Sequence, residues 1–319
     1  MPSAPQIPGY REVRLHRRGS SADVYRATLE HLNSTVAIKL LRLDELTTYE
    51  QFQQELDTAV QLSQQAHVVR ILDTGMVGDR PYLTMEFCED GSYAEIVAGH
   101  GPLSIRDVVD VGAKIAEALH AAHEMGFIHR DVTPANVMRS RSGPALTDFG
   151  IARRPAELTG TVTLNKLTPH HAAPEALQRK PQSIQSDVYS LGSTLWFLLA
   201  GYPPFAQRGE RNPDPFTYRE RVLTRPAPLI PRPDVPVWLQ TEIARAMSKR
   251  VDDRPPNAKA FADALRRGWA IWKGQEWQPP VAYHPLNQPP AGEADAGAQP
   301  AHPSVPGSPA GPGIPGSPV

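Results

Sequence analysis

The sequence predicts an α+β fold of two lobes, in which a small β-rich lobe precedes a larger helical one. Two short β-favouring runs early in the chain, Val36–Leu40 and Tyr82–Cys88, are bounded by turn residues and are predicted strands. From Ser104 onward, apolar residues recur at helical spacing instead. We therefore expect a β-rich lobe at residues 1–87 and a helical lobe at residues 88–272.

One helix is predicted between the two strands, at Tyr49–Ser63. Its polar, glutamine-rich sequence is typical of a surface helix with one buried face. The residues predicted to face inward are Phe52, Leu56, Ala59, Val60 and Leu62.

Three longer helices are predicted in the second lobe. Ser104 and Asp107 form a capping-box-like start for the first of them, and Gly126 ends it. The apolar residues that define its buried face are Ile105, Val108, Ile115, Leu119 and Ala122. The other two helices are predicted at Val188–Ala200 and Val237–Met247.

Composition limits the classes of partner. Hydrophobic residues make up 40% of the 319 residues and charged residues 21%, which is ordinary for a globular protein. The formal net charge is −1 and the pI is about 6.8. The protein therefore has no overall attraction to nucleic acid or to an anionic membrane, and any recognition of phosphate must be local.

Cysteine content and hydropathy predict a cytoplasmic protein with no membrane span. The single cysteine, Cys88, excludes an internal disulfide and a zinc site made of thiolates, which fits a reducing compartment. The N-terminal residues lack the basic start and apolar run of a secretory signal. The longest apolar stretch, around Leu191–Ala200, is too short to cross a bilayer.

A proline-rich, disordered tail is predicted at residues 273–319. Residues 279–319 contain 12 prolines and no lysine or arginine, and they offer few large apolar side chains to bury. Two interpretations remain open for this segment. It is either an inert, solubilising end or a polyproline ligand for a partner module.

Two acids and an amide on neighbouring loops carry the chemical signal. Asp131 and Asn136 lie five residues apart in the run FIHRDVTPANVM, and Asp148 begins the triplet DFG ten residues after that run ends. One carboxylate can accept the proton of a hydroxyl group, while the other acid and the amide oxygen can hold hard cations that bridge phosphates. Phosphoryl transfer from a magnesium-bound nucleotide requires this combination.

The runs HRDVTPAN and DFG match the catalytic-loop and metal-loop motifs of protein kinases in order and spacing. From about Pro8 to Arg267, the chain resembles the eukaryotic-like serine/threonine kinases of bacteria. The resemblance implies a bilobal protein-kinase-like fold, ATP as the phosphate donor, and Mg²⁺ or Mn²⁺ held by Asn136 and Asp148. It also implies that Asp131 is the catalytic base.

Three further motifs extend the resemblance. VAIK places Lys39 where the family has its phosphate-binding lysine, and Glu55 matches the glutamate that holds this lysine. Glu175 ends an APE motif, and Asp187 begins DVYSLG, which is similar to the start of the buried central helix of the family. Arg254 resembles the arginine that pairs with the APE glutamate.

The resemblance also assigns the nucleotide contacts. Met85 falls at the gatekeeper position, and the backbone groups of Glu86 and Cys88 are expected to pair with the adenine edge. The full set of expected contacts is Arg17, Gly19, Val24, Ala37, Lys39, Met85, Glu86, Cys88, Asn136 and Asp148.

The phosphate-binding loop departs from the family pattern. The three glycine positions of GxGxxG hold Arg17, Gly19 and Ala22. Glycine lets the backbone approach phosphate closely, so the loss of two glycines predicts looser nucleotide binding. Arg17 and Arg18 either point to solvent or supply positive charge near the phosphates.

Thr133 is the second departure, although we assign it to the catalytic set. Related kinases carry a lysine here that neutralises charge on the transferring phosphoryl group. Threonine donates a hydrogen bond but has no positive charge. The loss of one charge-assisted contact, about 1.5 to 3 kcal/mol, predicts roughly 10- to 100-fold slower transfer unless Arg17 or Arg18 compensates.

The segment between Asp148 and Glu175 is the third departure. Thr168 aligns with the threonine that lies beside the substrate in the family, but Leu167 and His171 replace the usual glycine and tyrosine. These changes predict unusual docking of the peptide substrate.

The same segment contains candidate phosphorylation sites. Thr159, Thr161 and Thr163 cluster where related bacterial kinases carry activating phosphothreonines, and Arg130 matches the arginine that binds them. We expect autophosphorylation at one or more of these threonines. The alternative is an ordinary polar loop.

The expected function is that of a regulatory, cytoplasmic serine/threonine protein kinase. Tyrosine specificity is disfavoured, because the catalytic loop lacks the arginine typical of tyrosine kinases. One alternative is a pseudokinase that serves as a nucleotide-binding or allosteric scaffold, which Arg17, Ala22 and Thr133 favour. The other is a small-molecule phosphotransferase, which the APE motif and the Asp187 helix disfavour.

Overall fold

The computed structural model describes residues 5–19, 22–42, 49–149, 170–210 and 213–274. For residues 49–55 it describes the backbone but not the side chains. Within these ranges, a sheet-rich lobe is followed by a mostly helical one.

The first lobe is built on an antiparallel sheet. Its strands are β1 (Tyr10–Arg18), β2 (Ala22–Leu29), β3 (Ser34–Leu41), β4 (Ile71–Val77) and β5 (Arg80–Glu86), and helix α1 (Tyr49–Leu62) connects β3 to β4. The spatial order is β1-β2-β3-β5-β4. The strand predicted at Val36–Leu40 lies within β3, whereas the one predicted at Tyr82–Cys88 already ends at Glu86. Glu86 is the last residue of β5 that pairs with β3, so the chain leaves the sheet there.

The described part of the second lobe contains one short hairpin, seven α-helices and one 3₁₀ helix at Val251–Asp253. The hairpin consists of β6 (Val137–Ser140) and β7 (Gly143–Leu146). The helices are α2 (Tyr93–His100), α3 (Ile105–Glu124), α4 (Pro174–Leu177), α5 (Ile184–Ala200), α6 (Pro215–Thr224), α7 (Val237–Ala246) and α8 (Ala258–Lys273). This order of elements confirms the predicted α+β fold, with the β-rich lobe first.

Helix α3 has the ends that its sequence predicts. The backbone N–H of Asp107 donates to Ser104 Oγ at 3.2 Å, so Ser104 caps the first turn. Gly126, with φ of +83°, follows the last turn in the left-handed conformation that glycine tolerates best. The predicted inward-facing residues of this helix are all buried.

Helix α5 forms the centre of the helical lobe. It starts at Ile184 rather than at the predicted Val188, because Ser183 and Ser186 form a capping box at its first turn. Every residue from Ser186 to Leu199 except Phe197 is buried. A helix that is buried on nearly all sides holds the elements packed around it in fixed positions.

Helices α3 and α8 pack closely together against α5. Gly112 of α3 makes this approach possible, because a Cβ atom there would lie 2.7 Å from a methyl carbon of Leu195 and 2.8 Å from one of Leu265. The close packing holds α3 against the centre of the helical lobe.

None of the described helices is both long enough and apolar enough to cross a membrane. The last described helix, α8, ends at Lys273. Residues 275–319, which include nearly all of the predicted tail, lie outside the described part of the chain.

Candidate active site

A cavity of about 340 Å³ lies between the five-stranded sheet and the helical lobe. Its volume falls at the lower end of the range for small-molecule sites, about 300–1,000 Å³. All the expected nucleotide contacts line it except Gly19, which belongs to the turn after β1. Asp131 and Thr133 lie in the loop beneath this cavity but are not part of its lining among the described residues.

Asp187 of α5 fixes the loop that carries Asp131. The buried Asp187 carboxylate accepts hydrogen bonds from the backbone N–H groups of His129 and Arg130, both at 2.8 Å. Its Oδ2 also lies 2.8 Å from His123 Nε2 of α3. Two backbone bonds to one charged group define the path of the chain, so the central helix positions the catalytic loop.

Asn136 joins the two polar residues of this loop. Its Nδ2 donates to the backbone carbonyl of Asp131 at 2.9 Å and to Asp131 Oδ2 at 3.1 Å. The amide nitrogen is occupied by these bonds, which leaves Oδ1 of Asn136 available as an oxygen ligand. Asn136 also lines the cavity.

Lys39 and Asp148 meet across the cavity although they are 109 residues apart in sequence. Lys39 Nζ lies 2.5 Å from Asp148 Oδ1. Burial raises the pKa of Asp148, but the Lys39 ammonium outweighs this effect and holds the pKa below its usual value. The carboxylate is therefore ionised at neutral pH.

Two residues of the site have left-handed backbone conformations. Arg130 has a φ of +65° and Asp148 a φ of +67°. Residues other than glycine occupy this region rarely, and such conformations cluster at functional sites. Both residues are held there by groups of the surrounding structure: Asp187 bonds the Arg130 backbone, and Lys39 bonds the Asp148 side chain.

His129 has a structural role in the loop. Its Nδ1 accepts from the backbone N–H of Asp131 at 3.2 Å, and its Nε2 lies 2.9 Å from the Thr147 carbonyl oxygen. Because a carbonyl oxygen only accepts, Nε2 is the donor in the second of these bonds. The ring also packs edge-on against Phe149 with centroids 4.7 Å apart. His129 therefore links the catalytic loop to the loop of Asp148.

Asn136 and Asp148 supply oxygen ligands suited to a hard divalent cation. Mg²⁺ is usually bound by one or two protein oxygens together with substrate phosphates and water, rather than by a complete protein cage. Among the described residues, no cluster of three histidine, cysteine, aspartate or glutamate side chains has the arrangement of a metal site. The ionised Asp148 carboxylate and the free amide oxygen of Asn136 fit Mg²⁺ shared with a nucleotide.

The end of β5 and the residues that follow it form one side of the cavity. Met85 and Glu86 at the end of the strand line it, as does Cys88 just after the strand. The Phe87 ring contacts polar side chains of β1 and β2. Its centroid lies 5.4 Å from that of the His16 ring and 5.1 Å from the guanidinium carbon of Arg26. Burial raises the pKa of Cys88 to about 12, so this thiol stays protonated and behaves as an apolar group.

The turn between β1 and β2 keeps one glycine because a side chain would not fit there. The backbone N–H of Gly19 donates to the carbonyl oxygen of Ala22 at 2.9 Å, and a Cβ on Gly19 would approach that oxygen to 2.9 Å. Arg42 Nη1 donates to the Gly19 carbonyl at 3.0 Å, and its Nη2 donates to Asp23 at 2.5 Å. Arg80 from β5 also bonds Asp23, at 3.5 Å. These bonds anchor the turn without the glycines of the family pattern.

Thr133 is buried in the catalytic loop, with only 3% of its surface exposed. Its carbonyl oxygen accepts from the backbone N–H groups of Asn136 at 3.0 Å and Val137 at 3.2 Å. This position contributes to the folding of the loop but brings no positive charge toward the cavity.

Glu175 and Arg254 form the ion pair that the resemblance implies. Arg254 donates to the two carboxylate oxygens of Glu175 at 2.8 and 2.9 Å, and Ser186 donates to the same carboxylate at 2.6 Å. Burial raises the pKa of Glu175, but the hydrogen bond and charge of Arg254 outweigh it and lower the pKa below its usual value. The pair ties helix α4 to the helical core.

Several predicted site residues fall outside the described part of the chain. Glu55 lies in α1, but the description there covers only the backbone. The other residues outside the described ranges are Thr159, Thr161, Thr163, Leu167 and Thr168. Their roles stay predictions.

The cavity also has lining residues that the sequence does not reveal. His16, Val69 and Met138 line it beside the expected contacts. Apolar residues such as Val69 and Met138 are common in any core, so residue type alone does not separate a cavity wall from ordinary packing. The one available signal is position, because Met138 lies two residues after Asn136 in the strand that continues the catalytic loop.

Residues 10–265 match the protein kinase domain family. The serine/threonine-protein kinase PknK of Mycobacterium bovis is 35% identical over 262 residues, which cover 81% of this chain and 23% of that protein. The serine/threonine-protein kinase PknB of Mycolicibacterium smegmatis is 33% identical over 300 residues, which cover 88% of this chain and 47% of that protein. The chain thus spans about a quarter of the length of PknK and about half that of PknB.

Proposed function

Because the chain belongs to the protein kinase domain family, we propose that it transfers the γ-phosphate of ATP to serine or threonine hydroxyl groups of protein substrates. The observation that carries the proposal is the convergence of the Lys39–Asp148 pair and Asn136 on one cavity, with Asp131 bonded to Asn136. The specificity for serine and threonine is supported by the two relatives, PknK and PknB, which are serine/threonine-protein kinases by name.

In the proposed reaction, Asp131 accepts the proton of the substrate hydroxyl as the hydroxyl oxygen attacks the γ-phosphorus. The bond between the γ-phosphorus and the oxygen that bridges it to the β-phosphorus breaks, and ADP leaves. Asn136 donates to Asp131 Oδ2 at 3.1 Å, so the carboxylate is oriented before the substrate binds.

Lys39 neutralises the nucleotide phosphates in the proposed complex. It lies on β3 between β2 and β5, so its backbone is fixed by hydrogen bonds on both sides. Asn136 and Asp148 would hold Mg²⁺ through their oxygens. The bound ion would add positive charge that stabilises the phosphoryl group during transfer.

Autophosphorylation is part of the proposed function. Arg130 lies next to Asp131, and its backbone is fixed by Asp187, so a positive side chain stands beside the catalytic base. The Arg130 side chain is the proposed partner for phosphate on Thr159, Thr161 or Thr163. Intact-mass measurement after incubation with ATP and Mg²⁺ should show added phosphate, and an unchanged mass would contradict this part of the proposal.

The central test compares transfer of labelled phosphate from ATP by the native protein, Asp131→Asn and Asp148→Asn. We expect each substitution to reduce transfer at least about 100-fold, since each removes a carboxylate that acts in the transfer step. Asp79→Asn, in the exposed turn between β4 and β5, is the matched control and should transfer phosphate like the native protein. Equal transfer by all four proteins would mean that the proposed chemistry is wrong.

A nucleotide-binding scaffold is the second candidate function. The buried, uncharged Thr133 and the altered phosphate loop favour it. The transfer assay separates the two functions. If the protein is a scaffold, the native protein will bind ATP but transfer no phosphate. A small-molecule phosphotransferase is disfavoured by the buried pair of Glu175 and Arg254, which fixes a segment that those enzymes generally lack.

A further inference from the structure

The cavity has an uneven charge distribution for a site that must bind polyphosphate. The carboxylate residues that line it are Glu86, Glu89, Asp90, Glu95 and Asp148. Within the described part of the chain, its arginine and lysine lining consists of Arg17 and Lys39. A nucleoside triphosphate adds several negative charges, so these two cations must account for most of its recognition by side chains.

Among the described residues, Lys39 pairs with a carboxylate, whereas Arg17 does not. Lys39 Nζ lies 2.5 Å from Asp148 Oδ1. Arg17 makes no ion pair with any carboxylate of the described residues, although it lies on the exposed strand β1 at the edge of the cavity. Its guanidinium is therefore available to bind an anionic ligand.

Arg17 also influences a carboxylate of the cavity lining. Burial raises the pKa of Glu95, the hydrogen bonds that its carboxylate accepts from Ser92 lower it, and the charge of Arg17 lowers it further. Arg17 therefore adds positive potential within the cavity that it lines.

The fold holds Arg17 in this position. Arg17 pairs with Val24 of β2, one of the expected nucleotide contacts, while the neighbouring Arg18 pairs with Asp23 and does not line the cavity. The turn that follows is anchored by the bond from Arg42 to the Gly19 carbonyl at 3.0 Å. The strand and its turn therefore direct Arg17, but not Arg18, toward the cavity.

We propose that Arg17 binds the β- and γ-phosphates of the nucleotide and supplies the second positive charge that Thr133 does not provide. The inference rests on the proposed function in taking ATP as the nucleotide. The proposal gives Arg17, which stands at the first glycine position of the phosphate-binding loop, a role in the reaction. Arg17 would supply the positive charge that the loop lacks because it carries the buried Thr133 in place of lysine.

Equilibrium binding of ATP, ADP and adenosine to the full chain tests the proposal directly. Arg17→Ala should weaken ATP and ADP binding about 10- to 100-fold, the effect of one charge-assisted contact, and should leave adenosine binding unchanged. Arg17→Lys should retain most of the affinity because it keeps the charge. Arg14→Ala, an exposed arginine of the same strand opposite Arg26, is the matched control and should bind all three ligands like the native protein.

A second measurement tests the replacement of the missing lysine. In phosphoryl-transfer kinetics, Arg17→Ala should lower kcat as well as raise KM, and adding Thr133→Lys to this variant should recover most of the lost kcat. Failure of the double variant to recover activity, while Thr133→Lys alone folds and binds ATP, would overturn the compensation.

Two binding results would overturn the role of Arg17 itself. One is native ATP affinity in Arg17→Ala, and the other is an equal loss of ATP and adenosine binding, which would indicate a purely structural residue. If the native protein binds ATP but transfers no phosphate, the proposed function fails. The comparison of ATP with adenosine still decides whether Arg17 binds phosphate.

Discussion

At the scale of single residues, the buried His171 links stability to pH. Its Nδ1 lies 3.0 Å from Ser193 Oγ, and its ring packs edge-on against Phe197. Burial, followed by the charge of His170, lowers its pKa from 6.5 to about 3. Between these two values the unfolded chain binds a proton that the folded protein does not. The free energy of unfolding therefore falls as the pH decreases through this window.

We predict that this one group lowers the unfolding free energy by about 1 kcal/mol between about pH 7 and about pH 5.5. In His171→Asn the loss over the same interval should be smaller by that amount, since asparagine does not titrate. Denaturant unfolding at several pH values measures it. His31→Asn, in the exposed turn between β2 and β3, should keep the native pH dependence. Parallel profiles for the native protein and His171→Asn would contradict the prediction.

The sequence predicts the identity of the charged site residues better than their environment. Lys39, Asp131 and Asp148 can be assigned because motif order fixes both residue type and position. The burial of Thr133 and the direction of Arg17 depend on contacts made by distant elements, such as the anchor that Arg42 provides to the turn after β1. The sequence alone does not decide whether an arginine on an exposed strand points to solvent or into the cavity.

At the scale of elements, Gly112 allows three helices to meet. A Cβ atom there would lie less than 3 Å from methyl carbons of Leu195 and Leu265, which belong to α5 and α8. Alanine normally stabilises a helix relative to glycine, but here the extra methyl group has no space. Packing should outweigh helix propensity at this position.

We predict that Gly112→Ala lowers the unfolding free energy by about 1 to 3 kcal/mol, measured by urea denaturation. Gly99→Ala in α2 is the matched control, since a Cβ there meets no atom within 4 Å. The control should gain up to about 1 kcal/mol from helix propensity. A higher unfolding free energy in both variants would contradict the prediction, because it would show that α3, α5 and α8 can accommodate the extra methyl group at no cost in stability.

Elements with strong local signals are predicted well, and those without them are not. The caps and apolar spacing of α3 give its bounds almost to the residue. Strand β1 has no such signal, because most of its residues are exposed and four of them are arginines that break any alternation. The pairing of β1 with β2 depends on the context of the sheet rather than on the residues of β1, so strand propensity does not predict this strand.

At the scale of the whole molecule, two ion pairs join segments that are far apart in sequence. Lys39 and Asp148 are 109 residues apart and Glu175 and Arg254 are 79 residues apart. The first pair connects the sheet to the helical lobe at the cavity. The second is almost completely buried and connects α4 to the turn before α8.

We predict that Arg254→Met lowers the unfolding free energy by about 3 to 5 kcal/mol, because it leaves the Glu175 carboxylate buried without its partner. Adding Glu175→Gln should recover part of this loss. Arg250→Met is the control. Its pair with Asp253 is exposed and 3.8 Å long, so its removal should change stability by less than about 1 kcal/mol. Thermal or denaturant unfolding of the four proteins decides the matter, and equal effects of the two single arginine substitutions would contradict it.

Long-range pairs of this kind are where sequence reasoning depends on family resemblance. Nothing local in the sequence connects Arg254 with Glu175, and only the resemblance implies their contact. The two-lobed order of elements, in contrast, follows from the shift between β-favouring and helical patterns along the chain. Local physics thus predicts the lobes, while the cleft between them depends on contacts that the chain makes only when folded.

The left-handed backbone at Arg130 and Asp148 has a consequence for laboratory evolution. Such conformations destabilise non-glycine residues by roughly 1 to 3 kcal/mol, and glycine relieves most of that strain. Random libraries screened for heat resistance alone should therefore accumulate glycine at these two positions. The surviving clones would be more stable proteins that have lost the carboxylate at position 148, which is the group that we propose to hold Mg²⁺.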